Sequence, residues 1–126
     1  MKKVVSLIAF AFVVSALSCQ HPAPPPITVL IVRHAEKASN EDDAPLSAAG
    51  VERAQALLRV AEDAGVGAIY SSQFRRNRDT VQPLAARLGL PITEMQVSLN
   101  EPGDYSKRLA QDILNKHRGR TVLVVG

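Results

Sequence analysis

The chain has 126 residues, a length that suits one domain, and with aromatics at 4% and hydrophobic residues at 46% its core must be aliphatic. One cysteine excludes any internal disulfide, and a formal charge of +3 is too small for a nucleic-acid footprint. Lys2 and Lys3 belong to a leader, so the rest of the chain carries only +1.

Residues 1–18 read as an export signal: two lysines, an apolar run from Val4 to Val14 that is short for a bilayer span, then small residues before Cys19. Ser15-Ala16-Leu17-Ser18-Cys19 resembles a bacterial lipobox, in which the leader is cut before a cysteine that carries lipid. Ala16-x-Ser18 also suits ordinary signal cleavage, which would give a soluble secreted or periplasmic protein. An unpaired thiol at the mature start favours lipidation of Cys19 and a place at the cell envelope. Residues 19–26 are proline-rich and predict an extended tether, with His21 a linker residue, and residues 27–126 form the domain.

Val29-Leu30-Ile31-Val32 is wholly apolar and β-branched, the pattern of a strand buried on both faces of a parallel sheet. Such sheets bind ligands beyond the carboxyl ends of their strands, where Arg33 and His34 fall. A polar loop from Glu36 to Pro45 follows, and its acidic run Glu41-Asp42-Asp43 reads as solvated surface. Ser47 then caps a helix whose apolar face is Val51, Ala54, Leu57, Leu58 and Ala61, ended by Gly65 or Gly67.

A second strand, Ala68-Ile69-Tyr70, leads through Ser71-Ser72 to Arg75, Arg76 and Arg78. A right-handed β-α-β connection brings this second polar cluster to the same sheet edge as His34. Val81, Leu84, Ala85 and Leu88 predict the next helix, stopped by Gly89, with a kink or fresh start at Pro83. A third strand is expected over Leu90–Thr93, and Tyr105, Leu109 and Ile113 mark another helix capped by Asp104. His117 sits at that helix end, where a cation suits the dipole, and Thr121–Val125 reads as a buried strand. The chain stops where a central strand should lead into a loop, so an incomplete domain is expected.

Arg33-His34-Ala35-Glu36-Lys37 resembles the Arg-His-Gly or Arg-His-Ala signature of the histidine phosphatase superfamily, the phosphoglycerate mutase-like group. Asn40, Leu46-Ser47-Ala48-Ala49-Gly50 and Ile69-Tyr70-Ser71-Ser72 match at useful spacing. Ser71 to Thr80 resembles the family's Ser-Ser-Pro-Leu-x-Arg-Ala-x-Gln-Thr, which puts Arg76 on the active-site arginine. The departures are Gln73 for Pro, Asn77 for Ala and Asp79 for Gln or Glu. The resemblance implies an α/β fold with a mostly parallel central sheet between helices, in three layers, incomplete at the C-terminus. It also implies that a second active-site histidine would follow Gly126, so that residues 1–126 alone would be impaired.

The chemistry of a phosphomonoester agrees. In-line attack at phosphorus spreads charge over the equatorial oxygens, and arginine forks bind such oxygens while staying charged. The resemblance gives Arg33 and Arg76 this role, with His34 as nucleophile through a phosphohistidine intermediate and Asn40 bound to the phosphoryl group. A backbone carbonyl holding one ring N–H of His34 would leave the other nitrogen free to attack. Glu36 and Glu101 are both candidates for the proton donor. No spacing suggests a metal or a nucleotide cofactor. The expected partner is a phosphorylated small molecule or a phosphoprotein. A non-catalytic phosphate-binding module and a lipid-tethered scaffold on the same fold are the rival readings.

Overall fold

The chain alternates strands and helices in a computed structural model that describes residues 22–98, 100 and 102–126. The expected export signal, Cys19, His21 and Glu101 lie outside those residues. In order, the elements are β1 (Thr28–Val32), α1 (Ala48–Ala61), β2 (Val66–Ser71), α2 (Arg75–Leu88), β3 (Ile92–Glu94), α3 (Pro102–Lys116) and β4 (Thr121–Val125). The four strands form one sheet in the order β1-β4-β2-β3, and every pairing is parallel.

Alternation along β2 and β4 divides the core between the two faces of the sheet. Ile69, Leu123 and Val125 pack with Ala61 of α1 and with Val81, Leu84 and Ala85 of α2. Ala68, Tyr70, Val122 and Val124 pack on the other face with Ile113 of α3. Helices therefore cover both faces, which is the three-layer α/β arrangement the resemblance implied.

Three expectations are corrected. Among the described residues β1 is an edge strand, with Val29 42% and Ile31 79% exposed, and it is β4 whose residues Val122–Val125 are all buried. The two runs have nearly the same apolar pattern, and only strand order separates them. Next, α2 runs through Pro83 as one helix, so no fresh start occurs there. Val81 and Leu84, on either side of the proline, are fully buried in one core, and that packing offsets the missing backbone donor. Asp104, expected as a cap, lies within the first turn of α3, where its carboxylate suits the helix dipole and takes Arg108 Nε at 2.6 Å. Gly89 does end α2, in the left-handed conformation with φ 64°, and Leu90 N–H returns to the Ala85 carbonyl.

His117 directly follows the last residue of α3, at the helix end as expected, and its ring turns inward to Tyr70. The buried Tyr70 hydroxyl donates to Asp112 Oδ2 at 2.6 Å, so its oxygen is left to accept from His117 Nε2 at 2.9 Å. Burial and the Asp112 carboxylate push the Tyr70 hydroxyl far up from its ordinary range. Lys116, at 2.7 Å, and then the Tyr70 hydroxyl hold the Asp112 carboxyl below its ordinary value. A carboxyl depressed in the folded state contributes stability above its unfolded pKa and loses it as pH falls through the folded one. Asp112→Asn should therefore be less stable than the wild type at neutral pH, with the gap closing below about pH 4; urea denaturation across pH 3–7 measures it, and a gap that did not change with pH would refute the linkage.

Candidate active site

β1 ends at Val32, and the next two residues turn over the carboxyl end of β4. Gly126 N–H donates to the Val32 carbonyl at 3.1 Å, and His34 N–H donates to the Gly126 carbonyl at 2.9 Å. The His34 ring is half-buried, with Nδ1 2.8 Å from the Ala35 carbonyl oxygen. A carbonyl only accepts, so Nδ1 carries the proton and Nε2 keeps its lone pair in the neutral ring.

The loop that follows is held at both ends. The Glu36 carbonyl accepts from Ser47 N–H at 2.8 Å, and a Cβ on Gly50 would collide with that same oxygen. Glycine at position 50 thus lets the first turn of α1 lie directly on the backbone beside His34. Ser47 Oγ caps the helix by accepting from Gly50 N–H at 3.1 Å. The acidic run is not merely solvated surface: Asp43 Oδ1 accepts from Arg75 N–H at 2.7 Å, and the Asp42 carbonyl accepts from Arg76 Nη1. Asp43 therefore satisfies a free donor at the N-terminus of α2.

α2 is joined to the His34 turn through Thr80. Its Oγ1 accepts from Ala35 N–H at 2.9 Å and donates to the Arg76 carbonyl at 2.7 Å. Arg76 lies at the start of α2, just past the carboxyl end of β2, with its guanidinium carbon 4.4 Å from the Phe74 ring centroid. Arg76 Nε is buried without a hydrogen-bond partner among the described residues. The buried Asn77 donates to Ser72 Oγ at 2.6 Å, and the Gln73 amide pairs with both backbone groups of Val97. The neighbouring arginines serve the surface: Arg75 pairs with Asp79 and Arg78 with Glu94.

Arg33, His34 and Asn40 line one concavity of about 670 Å³, joined by Glu36, Lys37 and Arg53. Arg76 is tied to the same loop at the same sheet edge, but it does not line that concavity. Glu36 Oε1 is paired with Arg53 Nη2 at 2.8 Å. Sequence reasoning assigned no role to Gly50, Arg53, Asn77 or Thr80. Asn77 and Thr80 share the helical spacing of Val81, Leu84 and Leu88, so polar residues on an otherwise apolar face were the available signal. Among the described residues no group of three His, Cys, Asp or Glu is placed to hold a metal ion, and no helix is long and apolar enough to cross a membrane.

The sequence profile of the histidine phosphatase superfamily (branch 1) matches residues 29–117. No curated protein sequence matches the chain. Among solved structures, the mycobacterial glucosyl-3-phosphoglycerate phosphatase superimposes with a TM-score of 0.65 at 19% identity, over 78% of this chain and 72% of that one. YhfR of Bacillus stearothermophilus gives 0.69 at 20% identity, over 79% and 73%. A protein of Agrobacterium tumefaciens assigned as the phosphohistidine phosphatase SixA gives 0.58 at 25% identity, over 78% and 65%.

The contact beneath Gly50 is directly testable. Gly50→Ala should destabilise the fold by about 1–3 kcal/mol, the scale of an overpacked contact, and shift the His34 resonances, because the Glu36 backbone must retreat. Gly103→Ala, where an added Cβ meets nothing within 4 Å, is the control. Equal stability and unchanged His34 signals in Gly50→Ala would show that the close approach is not a constraint.

Proposed function

The chain belongs to the histidine phosphatase superfamily, and from that membership we propose that it is a phosphohydrolase that passes a phosphoryl group first to His34 and then to water. The observation that carries this reading is the bond between His34 Nδ1 and the Ala35 carbonyl, which directs the lone pair to Nε2. In the first step Nε2 forms a bond to phosphorus as the ester P–O bond breaks, and the leaving oxygen takes a proton. In the second, water attacks the phosphohistidine, releasing phosphate and restoring the imidazole.

Arg33 and Arg76 neutralise the charge that builds on the phosphoryl oxygens, with Asn40 as a further hydrogen-bond donor. Two features support this division. Arg33 makes no ion pair among the described residues, and Arg76 Nε has a donor hydrogen that no protein atom there accepts. A buried donor of that kind calls for a partner, and a phosphoryl oxygen supplies one. Glu36, engaged with Arg53, acts as an acceptor, which weakens its candidacy as the proton donor. A phosphorylated small molecule and a phosphoprotein both fit the reading, and the names of the similar folds include a glucosyl-3-phosphoglycerate phosphatase and a phosphohistidine phosphatase.

The reading also places the enzyme at the cell envelope, exported by residues 1–18 and anchored through lipid on Cys19. Lys2-Lys3, the apolar run and the lone cysteine support it, as does the exposed course of Pro22–Pro26, which forms neither helix nor strand and suits a spacer.

In a phosphate-release assay His34→Ala should abolish turnover and the phosphoryl label trapped on the protein. Arg76→Ala should lower kcat by about 10²–10³, the scale of losing one oxyanion donor. Persistence of the label in His34→Ala would move the nucleophile elsewhere. For the anchor, the cell-made protein should partition into detergent and Cys19→Ala should release it to the aqueous phase; a wild-type protein that stays soluble with Met1 intact would rule the anchor out.

A further inference from the structure

The concavity beside His34, taken together with Arg76, which is tied to its loop at the same sheet edge, carries more positive charge than one phosphoryl group requires. Arg33 and Arg76 match the two charges of a phosphomonoester dianion. Lys37, Arg53 and Glu36, which line the same concavity as Arg33 and His34, then leave one positive charge over. Arg53 comes from a different element, the second turn of α1, and stands beside Arg33: the two also share a second cavity with Val32, Ala56, Leu57, Val60 and Thr80.

The state of Arg53 is that of a ready but unsaturated donor. Among the described residues only Nη2 is engaged, by Glu36 Oε1 at 2.8 Å, and a guanidinium has five N–H groups to offer. The pair is exposed to solvent, with the Arg53 side chain 57% and the Glu36 side chain 44% accessible. An exposed pair of this kind contributes little stability and is easily opened. Glu36 therefore orients the guanidinium over the concavity without consuming it. Its own position is set from below, because its carbonyl is clamped between Ser47 N–H and the surface of Gly50. The orienting carboxylate is thus carried on the same short stretch as the nucleophile, two residues from His34.

We propose that Arg53 is a substrate-binding residue for a second anionic group, a carboxylate or a further phosphoryl oxygen, so that the site selects phosphomonoesters bearing one more negative charge near the phosphate. The inference rests on the phosphohydrolase reading of His34 but concerns a different contact. A substrate carboxylate adds to the guanidinium edge that Glu36 leaves open, in a charge-assisted bond shielded on one side by the wall of α1. A neutral leaving group makes no such bond.

The test compares phenyl phosphate with 3-carboxyphenyl and 4-carboxyphenyl phosphate, which have nearly the same shape and differ in one carboxylate. Binding is measured by calorimetry and turnover by phosphate release, in the wild type, Arg53→Gln and Glu36→Gln. The wild type should bind at least one carboxyphenyl ester about tenfold more tightly than phenyl phosphate, as one charge-assisted hydrogen bond would give. Arg53→Gln should erase that ratio, Arg53→Lys should restore part of it, and Glu36→Gln should enlarge it. Raised salt should shrink the ratio in the wild type. Equal affinity for all three esters in the wild type, or an unchanged ratio in Arg53→Gln, would overturn the proposal. Turnover separates the two ideas. Hydrolysis of all three esters without preference would sink the Arg53 subsite alone, and an intact affinity ratio without any hydrolysis would support the subsite while sinking the phosphohydrolase reading.

Discussion

One threonine hydroxyl joins the two halves of the site. Thr80 Oγ1 takes the N–H of Ala35 and gives its proton to the carbonyl of Arg76, so the turn that carries His34 and the helix that carries Arg76 share one atom. A hydroxyl can do this because it is donor and acceptor at once, and both bonds are closed in a place that water does not reach, where an unpaired N–H costs free energy. The bond spans 45 residues of sequence. Asp42 and Asp43 add a second tie between the loop after His34 and the start of α2.

The sheet makes that meeting possible. With all strands parallel and β4 lying between β1 and β2, the turns after β1 and β2 rise on either side of the end of β4. The backbone of Gly126 fills the gap, bonded to Val32 and His34. The loop after His34 then crosses to α2 and serves as the other wall, with Asp42 and Asp43 reaching Arg76 and the N–H of Arg75. Polar contacts on this edge are thus mostly between a side chain and a backbone group. The contact to the Asp42 carbonyl fixes the Arg76 guanidinium without pairing it with a carboxylate among the described residues.

The opposite face is built for stability. Tyr70, Asp112 and His117 form a polar network in the layer between the sheet and α3, away from the residues assigned to chemistry. Of the two histidines described, one has its ring nitrogen held by a backbone carbonyl next to a concavity, and the other is packed edge-on against a buried tyrosine. Their surroundings differ in this way although the residue type is the same.

Much of this was legible from residue order. Apolar runs and helical spacing placed all four strands and three helices, Gly89 stopped α2, and the ordered motifs from Arg33 to Thr80 singled out His34, Arg33, Asn40 and Arg76 before any coordinates. These features are local: each depends on a few neighbouring residues and on the periodicity of the backbone. What the amino-acid order could not decide depends on separation in space. Val29–Val32 and Val122–Val125 have almost the same pattern, yet strand order puts one at the edge and the other between two neighbours among the described residues. Pro83 sits within α2 because the core on both sides of it outweighs one lost hydrogen bond. Gly50 is needed for the approach of a carbonyl 14 residues away, Arg53 gains its place from the Glu36 side chain, and His117 turns inward to a tyrosine 47 residues earlier. Each of these is a contact between segments that only folding brings together, so no local rule of spacing or composition could have carried it.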